Sequence, residues 1–387
     1  MRPRARETGE GFVVTTNRAY LSRTVAVTSL LLGVAATPAH AVILFQETSL
    51  VSDGFVPAAT IDPDLINPWG ISFGSTSPFW VSDNGTGLAT LYDAAGMKRS
   101  LVVTIPPASG SGTSAPTGQV FNGVSGGFKL SNGAPAVFLF ASEDGAISGW
   151  NPGLGTTAAI AFPPVASAVY KGLAIDNGGA HLFAANFRSG KVEMYDQNFG
   201  FVKSFTDTTL PSGYAPFNAR VLNGQLYVTF ALQDAAKHDD VAGHGHGFVD
   251  VFDLNGNFVR RLVSNGDLNS PWGLEIAPSN FGGLAGSLLV GNFGDGTIGA
   301  YDATTGAFLG VLRDKHFNPL HFGDLWALTL GDGAGAGNPD TLYFTAGLQD
   351  EAHGLFGSIE ALNVPEPATA LILLAGLGGL VLTRRRA

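Results

Sequence analysis

The feature that most constrains this chain is a unit of roughly fifty residues repeated six times. Each unit opens with a short turn running into an apolar strand. The openings read NPWGISF at Asn67, FNGVSGG at Phe121, YKGLAID at Tyr170, FNARVLN at Phe217, SPWGLEI at Ser270 and DLWALTL at Asp324. They align small residues at Gly70, Gly123, Gly172, Ala219, Gly273 and Ala327, spaced 53, 49, 47, 54 and 54 residues apart. A small residue at a fixed place in each unit lets neighbouring backbones approach near a crowded axis.

A second strand, a polar turn and a third strand ending in an aromatic follow each opening. FWVSDNGTGLATLYD, LFAANFRSGKVEMYD and LLVGNFGDGTIGAYD are the clearest cases. SLVVTI, FVKSFT, FVRRLV and FLGVLR then read as fourth strands. Alternating apolar residues bounded by Gly, Asn and Asp indicate antiparallel pairing. Four strands per unit at this period predict an all-β, six-bladed β-propeller with four-stranded blades.

Unit six lacks its fourth strand, because GSIEALNV runs straight into the C-terminal tail. LVSDG at Leu50 matches LVSNG at Leu262, which ends the fourth strand of unit four, and both lead on to PWG. VILFQETSLVS, from Val42, is therefore expected to be the outer strand of blade six. That pairing closes the ring and covers an open sheet edge. The expected propeller spans 42–363.

The two ends read as addresses. Arg2, Arg4, Arg6, Arg18 and Arg23 precede an uncharged run from Thr24 to Ala36, followed by Thr37-Pro38-Ala39-His40-Ala41. Small residues at Ala39 and Ala41 fit signal peptidase, so 1–41 is expected to be a secretory signal peptide. At the other end, 364–387 places Pro365-Glu366-Pro367 before an uncharged run from Ala368 to Thr383, closed by Arg384, Arg385 and Arg386. The apolar run is slightly short of the roughly 20 residues of a spanning helix. The three arginines hold its end cytoplasmic and leave the body across the membrane.

That order of features resembles the PEP-CTERM sorting tail of Gram-negative bacteria. The resemblance implies an exosortase as partner, a transient stay in the inner membrane and removal of the tail. It also implies delivery to the cell surface or an extracellular, exopolysaccharide-rich matrix.

No cysteine is present, so an exported body must rely on its core alone. Between the two ends, 13 basic and 28 acidic residues leave a net charge near −15. Such a surface repels nucleic acid and anionic lipid and is compatible with cations or neutral sugars. No P-loop, Rossmann fingerprint or GxSxG elbow occurs.

In a propeller, the loops between second and third strands share one face with the turns entering the first strands. That face gathers Asn84, Glu143 and Asp144, Asn186 and Asn292, with Gln233-Asp234 from unit four and Gln349-Asp350 from unit six. Asn and Asp also suit tight turns, and that alone accounts for much of the recurrence. Trp69, Trp272 and Trp326 at the openings read as core wedges, or as exposed rings able to stack on a flat ligand. QDAAKHDDVAGHGHG, Gln233 to Gly247, interrupts unit four and carries His238, Asp239, Asp240, His244 and His246. Imidazole with carboxylate suits Zn²⁺, and carboxylates with amide oxygens suit Ca²⁺.

The body resembles six-bladed propellers of the NHL and gluconolactonase-like type. On NPWG and KHDDVAG it is also similar to a secreted bacterial family that carries PEP-CTERM tails. These resemblances imply either a non-catalytic binding module working through the loop-rich face, or a metal-dependent, lactonase-like hydrolase. The hydrolase would hold a divalent cation at the channel mouth, where Asp239, Asp240 or Glu143 would serve as base.

Overall fold

The computed structural model describes residues 43–176 and 178–362. Ala39, Ala41, Pro365 to Pro367, Arg384 to Arg386 and the apolar run before them lie outside the described residues. Among those described, no helix is long and apolar enough to cross a membrane.

The repeat folds into six sheets of antiparallel neighbours, one per blade. First strands lie innermost: Pro68–Ser72, Pro116–Phe121, Tyr170–Ile175, Tyr214–Leu222, Pro271–Ile276 and Leu325–Leu330. Second strands are buried but for end residues in blades three and four, and wholly so in Phe79–Asp83 and Leu288–Asn292. Outer strands expose alternate or terminal residues, as in Phe201–Phe205. Apolar side chains pack in clusters between successive blades, for example Val120, Leu139 and Ile147 against Leu173, Leu182 and Tyr195.

Blade six closes as the sequence requires. Leu44–Ser52 pairs antiparallel with Leu355–Leu362, from Leu44 opposite Leu362 to Ser52 opposite Leu355. A two-residue strand, Thr60–Ile61, then adds in parallel to Val51 and Ser52, outside the expected four.

Two alignments differ from the sequence reading. The first strand of blade two is Pro116–Phe121, so its axial small residue is Gly118 and not Gly123. FNGVSGG lies at the far end of that strand and imitates the motif. In blade four, Asn218 pairs with Thr229 as Gly172 pairs with Ala185, so the equivalent position is Asn218 and not Ala219. Crowding explains the small residues. A Cβ on Gly118 would stand 2.4 Å from Leu173 N, a backbone atom of the next blade. Asn218 fits because its Nδ2 donates to Trp272 O of the next blade at 2.8 Å.

Candidate functional site

Every first strand carries a bulge at its loop-bearing end, as between Pro68 and Ile71, Tyr170 and Gly172, or Pro271 and Gly273. A bulge re-aims one side chain out of the pleat. The bulged residues include Trp69, Lys171, Phe217, Trp272 and Trp326. Two aromatic contacts among them join blades that are not neighbours in the ring, Trp69 with Trp272 and Phe217 with Trp326, which only axial positions allow. Trp69 stacks on Trp326 with centroids 3.4 Å apart, and Trp272 meets both edge-on at 6.2 and 5.8 Å. Phe293 packs on Trp326 at 4.2 Å, and Phe187 on Phe217 at 5.4 Å. All six rings plug the channel. The three tryptophans are 1%, 4% and 1% exposed, so no indole face is free to stack on a ligand. They are core, though across the axis and not between blades.

A polar chain lies over this plug. Lys171 Nζ sits 5.0 Å from the centre of the Trp69 ring. It donates to Glu143 of blade two and, at 3.2 Å, to Asp239 Oδ1 of the blade-four loop. Asn84 Nδ2 donates to Glu143 Oε2 at 3.0 Å, and Asn67 Nδ2 donates to Asn84 Oδ1 at 3.3 Å. Asn67 Nδ2 also reaches Glu351 Oε2 at 2.5 Å, while its Oδ1 accepts Trp326 Nε1 at 2.9 Å. One hydrogen-bonded chain thus joins blades four, three, two, one and six at the mouth.

Charge is concentrated there. Burial alone would push the Lys171 pKa down, but the charges of Glu143 and Asp239 and the bonds to them raise it instead. Lys171 is therefore a buried ammonium. Burial works against the Asp239 carboxylate, yet Lys171 and His238 together lower its pKa. Glu351 is pushed up to about 7 by burial first and then by the Glu143 charge, against the Asn67 bond and Lys171.

The blade-four loop splits into two parts. Gln233 to Asp240 forms a tight turn in which the Asp234 carboxylate accepts His238 N at 2.8 Å and Asp239 N at 3.3 Å. Gln233 Nε2 pins this turn to Phe187 O at 2.5 Å. His238 Nδ1 lies 2.8 Å from Asp239 Oδ1, and ligand atoms of Glu143, His238 and Asp239 fall within 4.8 Å of one another. The second part is tied to the link between blades four and five. Gly245 N donates to Leu268 O, and Gly243 N donates to Asn269 Oδ1. His246 Nδ1 meets Val241 O at 2.8 Å, and His244 is 80% exposed near Asp267. Neither joins the Glu143 cluster. Asp240 is half-buried, and burial raises its pKa.

Other expected residues bond elsewhere than in this polar chain. Asp144 accepts Ala108 N at 2.6 Å. Asn186 Nδ2 donates to Glu193 Oε1 and Asn292 Nδ2 to Asp267 O, both at 2.8 Å. Register explains the split. Asn186 and Asn292 end their second strands, whereas Asn84 and Glu143 lie one residue past theirs. One residue reverses the face in extended chain. Their true counterparts are Phe187 and Phe293, both in the plug.

Gln349 and Asp350 are exposed, and their neighbour Glu351 reaches the mouth instead. Leu348 to Glu351 hold φ of 44, 52, 54 and 64°, four consecutive left-handed residues. Each such residue costs about 1–2 kcal/mol, and strain of this kind gathers at functional segments. Sequence reading also missed Lys171 and Asn67. The signal for Lys171 was a lysine at the opening position that holds tryptophan in three other units.

Glu351 gives the mouth a pH dependence. Folded, it keeps its proton up to about 7; an unfolded glutamate loses its proton near ~4.3. Between those values the folded chain binds more protons, so stability falls as pH rises. Relative to Glu351→Gln, wild type is expected to lose melting temperature between about pH 4 and about pH 7. A difference between the two that stays constant with pH would contradict this.

Known proteins place the chain. Residues 363–387 match the PEP-CTERM protein-sorting motif. Uncharacterised protein R648 of Acanthamoeba polyphaga mimivirus is 33% identical over 339 residues, covering 83% of this chain and 82% of its own. Uncharacterised protein L690 of the same virus is 34% identical over 344 residues, covering 83% and 87%. The chain belongs to the family of these two proteins. Within that family, this member carries an exosortase-type tail and is an exported propeller. Virginiamycin B lyase from Staphylococcus aureus, as its selenomethionine crystal structure, aligns over 84% of this chain and 90% of its own. The TM-score is 0.45 at 10% identity, a likeness that says nothing of activity.

Proposed function

We propose that the protein is a surface- or matrix-directed propeller acting as a non-catalytic binding module through the face that carries Lys171. One observation carries the reading. The Lys171 ammonium already stands between Glu143 and Asp239, where a catalytic cation would sit. The aromatic plug beneath removes the depth of a metal pocket. What remains is a shallow array of amides and paired charges, alternating donors and acceptors, suited to a hydroxyl-rich polymer such as an exopolysaccharide. The acidic body disfavours nucleic acid and anionic lipid. Signal peptidase and exosortase are the processing partners in this reading, with the inner membrane a transient station.

The second reading, a lactonase-like hydrolase, is favoured by the proximity of Glu143, His238 and Asp239. Those side chains fit Zn²⁺ by donor type, or Ca²⁺ through the carboxylates alone. Calorimetric titration of the mature protein with each ion separates the readings. Wild type is expected to take up neither stoichiometrically, and Lys171→Met, which frees both carboxylates, to gain Zn²⁺ binding. Stoichiometric binding by wild type that His238→Ala abolishes would overturn the non-catalytic reading.

A further inference from the structure

The rim of the face opposite the mouth carries an apolar arc. Third strands run from the mouth to that face, and fourth strands start there after a short turn, as between Lys191–Asp196 and Phe201–Phe205. In blades three, four and five the fourth strand opens on two consecutive apolar residues: Phe201-Val202, Phe258-Val259 and Phe308-Leu309. All six are between 43% and 61% exposed. Single exposed apolar residues are ordinary, but a pair repeated at one place in three adjacent blades makes a patch.

Packing holds the arc in shape. Phe201 meets Tyr195 edge-on with centroids 6.0 Å apart, Phe258 meets Phe252 edge-on at 5.7 Å, and Phe308 tilts against Tyr301 at 5.3 Å. Each turn also lies close on the preceding blade. A Cβ on Gly256 would collide with the Phe205 ring, and one on Gly306 with Leu262 O. Arg260 Nη2 donates to Ala303 O in the blade-five turn at 3.0 Å. The three turns therefore form one continuous ledge.

The C-terminal tail leaves from the same face. Leu355–Leu362 is the third strand of blade six, and Leu362 pairs with Leu44 at the start of the outer strand. The chain thus exits beside blade five, at the point where other blades turn into their fourth strands. On the other side of the exit, blade one exposes Met97 in its corresponding turn. Five residues, 363–367, two of them proline, separate Leu362 from the uncharged run 368–383. In any conformation they span at most about 20 Å. That is no more than the radius of gyration, about 20 Å, of a body this long. So short a link cannot hold the body clear of a membrane that takes up the run. The body's net charge near −15 repels anionic lipid, so the contact has to be apolar.

We propose that the arc of blades three to five docks on a zwitterionic lipid surface while the tail is intact, with the mouth and Lys171 aimed away from the membrane. The proposal rests on the inner-membrane stage of the export route above. Aromatic rings beside aliphatic side chains suit the boundary between headgroups and acyl chains. Three half-exposed pairs alone are a weak anchor, and the tail raises their effective concentration at the surface. Removing the tail therefore releases the body.

The test uses the signal-cleaved chain with its tail, reconstituted in phosphatidylcholine vesicles. The chain has no cysteine, so Val202→Cys, Val259→Cys and Leu309→Cys each accept a single environment-sensitive fluorophore. His244→Cys at the mouth, where the side chain is 80% exposed, is the reference. Labels at 202, 259 and 309 should emit at shorter wavelength with lipid than without it and be quenched by nitroxide-bearing phosphatidylcholine. The label at 244 should show neither change. High salt should leave the rim signals in place, and Phe201→Ser/Phe258→Ser/Phe308→Ser should remove them. If that triple variant fails to fold, the contrast between 202 and 244 carries the test. Vesicle flotation reports the tail separately, and a chain that does not float overturns the membrane stage itself. A floating chain whose rim and mouth labels respond alike overturns the docking. A rim shift that appears without lipid and grows with protein concentration assigns the arc to a second copy of the chain and also overturns it.

Discussion

Deleting residues 43–52 from the mature protein is expected to abolish its cooperative unfolding transition near room temperature. Those residues supply the outer strand of blade six and pair along the whole length of Leu355–Leu362. Leu44, Phe45, Leu50 and Val51 on that strand are buried, and Phe45 packs on Phe281 with centroids 4.8 Å apart. Burying four such side chains contributes on the order of 6–12 kcal/mol, an upper estimate because the unfolded chain is itself partly compact. Net stability of a folded protein is only about 5–15 kcal/mol. Loss of the strand also strips the edge of Leu355–Leu362 and opens the seam between the first and last blades. Thermal melting followed by circular dichroism reads the outcome. A truncated protein that melts at the wild-type temperature would show that ring closure is not what holds the propeller together.

The second large effect is expected at Lys171. The side chain is 3% exposed and Glu143 is 14% exposed, whereas Asp239 is 66% exposed. Lys171→Met keeps the length and the packing on Trp69 but leaves the Glu143 carboxylate buried without its counter-charge. Breaking a buried pair from one side costs about 3–5 kcal/mol. The Asp239 contact adds little, because water screens it. The variant should melt lower by on the order of 10 °C. Adding Glu143→Gln should recover most of that loss, since the stranded charge goes with it. Equal melting of Lys171→Met and wild type would mean the ammonium is not the charge that organises the mouth.

The fold was legible because its causes are local and repeated. Alternating strands, Gly-rich turns and the missing fourth strand of unit six each point to the same ring. Blade two was misaligned for a physical reason. Its axial glycine, Gly118, lies just after a run of Ser, Gly and Thr, 109–114, that carries no strand alternation, while Gly123 lies two residues past the strand within the same lettering as the other openings. The site was less legible. Asn84 and Glu143 look like Asn186 and Asn292 in sequence, but one residue of register keeps the second pair as strand ends, bonded away from the mouth. Glu351 was hidden because four left-handed residues carry it into the mouth, and that path has no periodic signature. Within the blade-four loop, His238 and Asp239 reach Glu143 and Lys171, while backbone bonds to Leu268 and Asn269 hold the later histidines elsewhere. Histidine density alone does not reveal which half of a loop faces the axis.

The central claim is that a ligand seats on the polar chain running from Asp239 through Lys171 and Glu143 to Glu351. Calorimetric titration with the exopolysaccharide of an exosortase-bearing host tests it most directly, comparing wild type with Glu143→Gln/His238→Ala. Saturable binding by wild type that falls at least about tenfold in the double variant, about 1.4 kcal/mol, with the melting transition still cooperative, is the predicted result. Equal binding by the two proteins, or none by wild type, would contradict the account.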